Sequence, residues 1–396
     1  MNRRVGAERE HDIVLYGATG FVGELTARYL AEHGPKDCRW AVAGRSRERL
    51  ERLRERLTAL NPDCADLPLL VADADDPAAL RELAQSTRVV ATTVGPYLWY
   101  GEPLVAACAE AGTDYADLTG ESEFIDLMYV RHDARARESG ARLVHACGFD
   151  SVPHDLGVYF TVQQLPQDVP LRVDGFVRSS AMFSGGTLAS ALTVMSRGRQ
   201  VRRAAHERRL HEPRLVDRRA RAPLSAPRFS RETGMWAMPL PTVDPQIVAR
   251  SARALRRYGP DFRYRHYAAV KWLPVALGGA AAMGAGVALA QLPPARRWLM
   301  DRYPAGEGPD AERRAASWFT VRFVGEGGGR RVFTEVAGGD PGYGDTAKML
   351  AESALCLALD DLPPTSGQVT TAAAMGDALL TRLQGAGLTF RVAATR

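Results

Sequence analysis

The feature that most constrains this chain lies in its first thirty-three residues. Asp12-Ile13-Val14-Leu15-Tyr16 is a short apolar run, Gly17-Ala18-Thr19-Gly20-Phe21-Val22-Gly23 follows it, and Phe21 to His33 carries Val22, Leu25, Tyr29 and Leu30 on one face. A strand that turns on glycines directly into an amphipathic helix is the local form of a dinucleotide site. The glycines permit a tight turn and a close backbone approach to pyrophosphate, while the helix N-terminus offers amides and a partial positive charge. G-x-x-G-x-x-G alone is a weak signal, and here the strand before it and the helix after it supply the context. Gly17, Thr19, Gly20, Phe21, Val22 and Gly23 are therefore expected to contact a cofactor.

The opening third repeats that alternation. Arg39 to Gly44, Leu67 to Ala72, Val89 to Val94, Tyr115 to Leu118 and Arg142 to Ala146 read as strands. Arg47 to Leu60, Pro77 to Gln85, Pro103 to Glu110 and a stretch near 122–139 read as the helices between them. Strand–helix alternation of this kind predicts an α/β fold with a doubly wound parallel sheet.

The end of the second strand discriminates between cofactors. An NAD site calls for a carboxylate there to accept from the ribose 2′-hydroxyl. This chain has Gly44-Arg45-Ser46-Arg47, with no acid until Glu48. Arg45 and Ser46 are donors suited to a 2′-phosphate, which predicts NADP(H). Asp73, after the third strand, is read either as a partner for the adenine amine or as a helix cap. Thr93-Val94-Gly95-Pro96-Tyr97 follows the fourth strand, where ligands of such sheets bind. Gly95 and Pro96 are expected to shape the backbone near the nicotinamide, with Tyr97 in reach of substrate.

Other chemistries fare badly. His206 and His211 mimic a zinc-protease helix but stand five apart instead of four, so no metal site is expected. There is no G-x-S-x-G elbow and no G-K-[ST] phosphate loop. Tyr267 and Lys271 form a Tyr-x-x-x-Lys pair, but too far from the glycine turn for the short-chain dehydrogenase arrangement. The five cysteines are scattered and odd in number, pointing to reduced thiols in a cytoplasmic compartment. At 396 residues the chain has room for two or three domains.

Two later segments stand apart. Residues 197–231 hold twelve arginines against Glu207, Glu212 and Asp217, whereas the whole chain carries only +5. The stretch reads as a helix followed by an exposed loop, either merely solvated or a docking surface for an acidic partner or anionic lipid. It lacks a recognisable nucleic-acid-binding fold, and nucleic acid is not expected as a partner. Residues 273–292 carry no charge and are rich in alanine and glycine. They are long enough to cross a bilayer, and are read as a buried or interfacial helix or as one that inserts into or docks on a membrane. Ser317 to Val324 and Arg331 to Val336 flank Gly325-Glu326-Gly327-Gly328-Gly329 and predict a hairpin in a second, antiparallel sheet. Thr346 to Leu359 and Ala373 to Gln384 read as helices.

Gly17 to Gly23, Gly44-Arg45-Ser46 and Val94-Gly95-Pro96-Tyr97 combine with Gly148-Phe149-Asp150-Ser151-Val152-Pro153-His154-Asp155-Leu156-Gly157. Together they resemble the saccharopine dehydrogenase-like oxidoreductases. Gly339-Asp340-Pro341-Gly342-Tyr343 and Ala374 to Leu380 carry the likeness to the end of the chain and direct it to the mycobacterial trans-acting enoyl reductase branch. The resemblance implies an NADP-binding Rossmann domain over 1–150, an α+β substrate or dimerisation domain over 151–340, and helices over 341–396 that pack back on the first domain. It also implies NADPH-dependent reduction of a carbon–carbon double bond on a polyketide or lipid acyl chain, with an acidic acyl carrier protein as partner. Tyr97, Asp150, His154 and Tyr343 are the candidate catalytic groups. Asp150 and Ser151 are alternatively read as caps of the helix that follows. A saccharopine-type amino-acid dehydrogenase and a non-catalytic NADP-binding protein on a membrane surface stay open, as does a homodimer.

Overall fold

A computed structural model describes residues 9–180, 196–290 and 310–395, which group into two units. The first holds residues 9–148 and 343–383, and the second holds 149–180, 196–290, 310–342 and 384–395. The first unit contains strands β1 (His11–Tyr16), β2 (Trp40–Gly44), β3 (Leu69–Val71), β4 (Thr87–Thr92), β5 (Asp114–Asp117) and β6 (Arg142–Val144). The second follows with β7 (Leu171–Ser179), β8 (Arg219–Arg221), β9 (Arg228–Ser230), β10 (Met235–Pro239), β11 (Asp261–Val270), β12 (Phe319–Gly327) and β13 (Arg330–Gly338). The chain then returns to the first unit for β14 (Gly367–Val369) and to the second for β15 (Thr389–Thr395).

Sheet order in the first unit is β14-β6-β5-β4-β1-β2-β3, with every neighbouring pair parallel. Parallel neighbours need crossovers, which are the helices Phe21–His33, Arg47–Leu60, Pro77–Ser86, Glu102–Ala111 and Ser122–Ser139. They fall into two layers. The helices Pro77–Ser86 and Ser122–Ser139 both contact Glu102–Ala111, whereas Phe21–His33 contacts Arg47–Leu60 and the later helix Gly344–Leu359. All six residues of β1 are buried, as expected of a strand covered on both faces. Val14, Tyr16, Val90, Leu80, Leu104, Val105, Tyr115 and Phe124 share one core.

The closing segment completes this layering. The helix Gly344–Leu359 packs on β1, β4 and β5, and the Tyr29 hydroxyl donates to Glu352 across 2.7 Å. The segment also contributes a strand to each sheet, β14 beside β6 and β15 beside β13. The helix expected over 373–384 is divided. A short turn Thr371–Ala374 ends at Met375, and Gly376, at φ +44°, begins the helix Gly376–Gly385.

The second unit has the expected hairpin. β12 and β13 pair antiparallel from Phe319↔Gly338 to Gly327↔Arg330. Gly328 and Gly329 form the two-residue turn with φ +55° and +75°, the positive angles that a tight hairpin demands. The sheet is not wholly antiparallel, contrary to expectation. Its order is β15-β13-β12-β7-β11-β10-β9, and β11 runs parallel to β7 and to β8. The long stretch between β7 and β11 permits this, because parallel neighbours require a crossover. The basic segment also departs from the plain helix and loop. After the helix Gly198–His211 it forms β8 and β9.

The apolar segment is a helix, Leu273–Ala290, and residues 291–292 lie outside the described residues. It is not buried. Leu273, Val275, Leu277 and Leu289 are exposed, while Ala276 alone is buried among its described side chains. Alanine and glycine offer little apolar side chain with which to cover it. Its 18 residues span about 27 Å. Among the described residues, no helix is long and apolar enough to cross a membrane.

Candidate functional site

In the first unit the glycine turn is stitched to the strands on either side. Gly17 and Ala18 donate backbone N–H to Ala43 O at 2.9 and 3.2 Å, and Thr93 N donates to Tyr16 O at 3.0 Å. The Thr93 hydroxyl donates to Gly17 O at 3.0 Å. Gly17 sits at φ +84°, with Val94 Cγ2 only 2.7 Å from where a Cβ would lie. A Cβ on Gly23 would come within 2.2 Å of Gly17 O. These glycines are thus required by close backbone approach, the geometry that lets phosphates reach main-chain amides. Gly20 opens the helix Phe21–His33 with no side-chain cap, so no side chain competes with an anion there.

At the end of β2, Arg45 is exposed and has no carboxylate partner among the described residues. Its neighbours are engaged otherwise. Arg47 pairs with Glu51 at 2.9 Å and Glu48 with Arg52 at 3.1 Å. The Ser46 hydroxyl accepts from Arg49 N across 3.4 Å, a long cap. Burial and then the charges of Asp73 and Asp75 push the Tyr16 phenol up to about 12, while Arg45 opposes them. Arg45 and Asp73 therefore both lie at the carboxyl end of β1. Asp73 accepts from Asp75 N at 3.1 Å, but the cap of the helix Pro77–Ser86 is Asp76.

Beyond β4, the Gly95–Pro96 peptide is cis. Tyr97 is buried, its hydroxyl donating to Thr92 O and accepting from Leu118 N at 3.1 and 3.2 Å. That hydroxyl is engaged with two backbone groups, which supports a wall-forming role in place of proton donation. The buried Glu121 carboxylate accepts from Tyr97 N at 3.1 Å and Leu98 N at 2.8 Å, holding the turn from behind. Glu121 escaped sequence reading because an acid at the start of a helix looks like an ordinary cap. Tyr343 is buried, and its ring meets Phe21 edge-on at 4.9 Å, which braces the start of the helix Phe21–His33.

In the second unit His154 lies in the helix Val152–Gln163, Asp244 begins the helix Asp244–Ala254, and His266 lies on β11. All three are buried. His154 Nδ1 lies 2.6 Å from Asp244 Oδ1, and His266 Nε2 lies 3.7 Å from Asp244 Oδ2. Tyr264, two residues before His266 and so on the same face of the strand, meets His266 Nδ1 through its hydroxyl at 2.8 Å. The His154 contact is close but off-axis, and neither Nδ1 nor Oδ1 completes an aligned hydrogen bond.

The cluster sets its own charge states. Burial alone would raise Asp244, yet His154 and then His266 hold its carboxyl below the usual range. Burial takes the His266 imidazole down to about 3, opposed only in part by Asp244. Close packing and then the Asp244 charge push the Asp150 carboxyl up to about 7. Ser151 and not Asp150 occupies the cap position of the helix Val152–Gln163, and no side chain caps it. Asp244 and His266 stand far from His154 in sequence and left no local spacing to find. Asp244-Pro245 reads as a helix start, and His266 as one position of an alternating strand.

A doubly wound parallel sheet with this glycine turn is a nucleotide-binding fold, and the likenesses that follow make the protein an NADP-dependent oxidoreductase. Residues 13–144 match the saccharopine dehydrogenase NADP binding domain family. A Mycobacterium tuberculosis relative is 41% identical over 418 aligned positions, covering 97% of each chain. The trans-acting enoyl reductase of Mycobacterium bovis is 40% identical over 415, covering 96% of this chain and 97% of its own. That of Mycobacterium ulcerans is 39% identical over 426, covering 98% and 99%. Among solved structures, the apo saccharopine dehydrogenase (L-Glu forming) of Saccharomyces cerevisiae shares the fold. Its TM-score is 0.55 at 13% identity, over 96% of this chain and 99% of that one. The chain belongs to the trans-acting enoyl reductase family, built on a saccharopine dehydrogenase-like fold.

Proposed function

We propose that this protein reduces a carbon–carbon double bond of an acyl thioester presented by a separate, acidic carrier protein of a polyketide synthase. The observation that supports it most is end-to-end identity near 40% with trans-acting enoyl reductases. In this reading Gly17, Thr19, Gly20, Phe21, Val22 and Gly23 hold the pyrophosphate, and Arg45 with Ser46 holds the 2′-phosphate. Asp73 faces the adenine, and Gly95 with Pro96 shapes the nicotinamide wall. NADPH, when bound, supplies hydride to the β-carbon of the unsaturated thioester. The charge that appears on the thioester oxygen is relieved when a proton reaches the α-carbon. Of Tyr97, Asp150, His154 and Tyr343, Asp150 alone keeps surface open to solvent, and we assign it the proton. Tyr97 and Tyr343 position the wall and the cofactor helix, and His154 stands behind Asp150.

The basic segment supports the carrier. Arg208 pairs with Glu212 at 2.5 Å, Arg221 with Asp261 at 3.0 Å and Arg228 with Asp174 at 2.9 Å. Arg218 donates to Ala252 O and Arg253 O, closing the helix Asp244–Ala254. Arg199, Arg202, Arg203 and Arg209 remain exposed on one face of the helix Gly198–His211. An acidic surface would steer to that face. Steady-state assays with the same enoyl group on a carrier protein and on a small thiol test both points. Replacing these four arginines with glutamate should raise KM for the carrier-bound substrate at least tenfold and leave the small thioester unchanged. Equal loss on both removes the docking role. NADPH consumption without an enoyl-specific product removes the reaction.

A second reading concerns where the protein works. The exposed, chargeless helix Leu273–Ala290 follows Trp272, whose ring carries Lys271 Nζ at 5.3 Å from its centroid. Such an end suits a lipid–water boundary. Flotation with anionic liposomes should carry the protein upward, and a variant with Leu277→Glu and Leu289→Glu should stay below.

A further inference from the structure

We propose that His154, Asp244 and His266 form a buried site for one divalent transition ion, with zinc the first candidate. The site belongs to the second unit and shares His154 with the candidate residues above, but its test does not depend on the reaction proposed there. Two imidazoles and one carboxylate are a donor set for zinc, iron or manganese, and too rich in nitrogen for magnesium or calcium. The ligand atoms of the three residues lie within 4.8 Å of one another. Bonds of about 2.0–2.2 Å to a tetrahedral ion place neighbouring donors roughly 3.3 Å apart. The 2.6 Å from His154 and the 3.7 Å from His266 run to different oxygens of Asp244, so an ion held by one of them needs the donors, now up to 4.8 Å apart, to draw in by roughly an ångström.

A direct ion pair is the competing explanation, and it accounts for only part of the arrangement. It explains why His154 is near Asp244. It does not explain why a second buried imidazole faces the same carboxylate from 3.7 Å, beyond hydrogen-bond reach. Nor does it align His154 Nδ1 with Asp244 Oδ1, both buried, even though Thr242 gives the carboxylate one side-chain hydrogen bond. His266 also has the outer support that metal-bound histidines show. Its Nδ1 is taken by the Tyr264 hydroxyl, which leaves Nε2 as the atom facing Asp244. The three donors come from two helices and a strand of the second unit. One ion would therefore tie the helices Val152–Gln163 and Asp244–Ala254 to β11. Asp150 is a further acid close enough to feel both Asp244 and His154.

The test is metal content of untagged, full-length protein purified without chelator. Elemental analysis should find close to one zinc per chain. After removal with a chelator, Co²⁺ alone should rebind one per chain with the visible d–d absorption of a tetrahedral nitrogen–oxygen site. Reloading with Zn²⁺ should raise the melting temperature, since an ion that binds only the folded state stabilises it. His266→Gln and Asp244→Asn should each lose the Co²⁺ spectrum while still binding NADPH, whose fluorescence reports a folded first unit. Wild-type protein that binds NADPH but takes up neither ion at micromolar concentration overturns the proposal. So does an Asp244→Asn protein with an unchanged Co²⁺ spectrum. Should both variants fail to fold, wild-type stoichiometry and the cobalt spectrum decide alone.

Discussion

His145 and His154 stand nine residues apart in the chain, and each approaches a buried aspartate at 2.6 Å, one in each unit. Asp117 accepts from His145 Nδ1, from Ala146 N at 2.9 Å and from Thr119 N at 3.0 Å. It lies at the end of β5 and gathers donors from beyond β6, so it joins two neighbouring parallel strands where they run out. Asp244 has one off-axis imidazole, a second imidazole out of hydrogen-bond range, and a side-chain hydrogen bond from Thr242. At the same distance the Asp117 carboxylate collects three aligned donors and Asp244 Oδ1 none, while both histidines keep a buried Nε2 without a partner. Asp117 is thereby committed to the fold, whereas Asp244 keeps capacity for a ligand at Oδ1.

The largest expected effect breaks the His145–Asp117 pair. Asp117→Ala strands an imidazole and two backbone amides inside the first unit, which should cost about 3–5 kcal/mol. Urea denaturation measures it, and NADPH binding should fall in proportion to the unfolded fraction. Asp244→Asn keeps its shape and disturbs fewer aligned bonds, so metal-free protein should lose less than about 2 kcal/mol. Equal losses would erase the distinction drawn between the pairs.

Smaller effects separate the cofactor turn from the second unit. Gly23→Ala places a methyl group 2.2 Å from the Gly17 carbonyl oxygen, which neither backbone segment can yield without moving the turn. A loss of about 1–3 kcal/mol in stability is expected, with NADPH affinity falling as well. Arg45→Ala should leave stability alone and weaken NADPH by roughly ten- to a hundredfold, the value of a charge-assisted phosphate contact or two. NADH affinity should not change. A fluorescence titration with both nucleotides decides, and an equal loss for NADH would detach Arg45 from the 2′-phosphate.

How much of this was legible depended on distance along the chain. The helices Phe21–His33 and Arg47–Leu60 begin and end where their apolar periodicity does. The glycine turn and Arg45 were readable because strand, turn and helix are contiguous. Strand ends were less so. β4 was expected over Val89–Val94 but runs Thr87–Thr92, because the Thr92 hydroxyl takes Val94 N and turns the chain. The hairpin β12–β13 announced itself through Gly328-Gly329. The parallel pairing of β7 with β11 did not, since it joins segments some ninety residues apart. Asp244 and His266 were invisible for the same reason, as their chemistry exists only once two helices and a strand meet. The exposed helix Leu273–Ala290 shows the opposite failure: hydropathy alone reads burial into a segment whose side chains are too small to achieve it.

The smallest effect compares how the two sheets answer acid. In the first unit, burial would raise Asp12, but hydrogen bonds from Arg39 and the charge of Arg88 hold it below the usual carboxylate range. In the second, burial would raise Glu335, and Arg322 with Arg391 depresses it in the same way. A carboxylate depressed in the folded state binds fewer protons there than in the unfolded chain. Its contribution is present above the ordinary carboxylate pKa near 4 and is lost as pH falls through the folded value. Melting temperature should therefore drop below pH 4, and Asp12→Asn or Glu335→Gln should make that drop shallower while lowering stability at pH 7. Arg39 is 48% exposed and Arg322 51%, so solvent screens both and each change should be modest. The Asp12 effect should exceed that of Glu335, because Asp12 also draws a backbone amide, Arg39 N at 3.0 Å, which salt does not screen away. Repeating the melts at high salt sharpens the contrast. The Glu335 contribution should nearly vanish and part of the Asp12 contribution should persist, whereas equal screening would mean that side-chain charge alone holds Asp12.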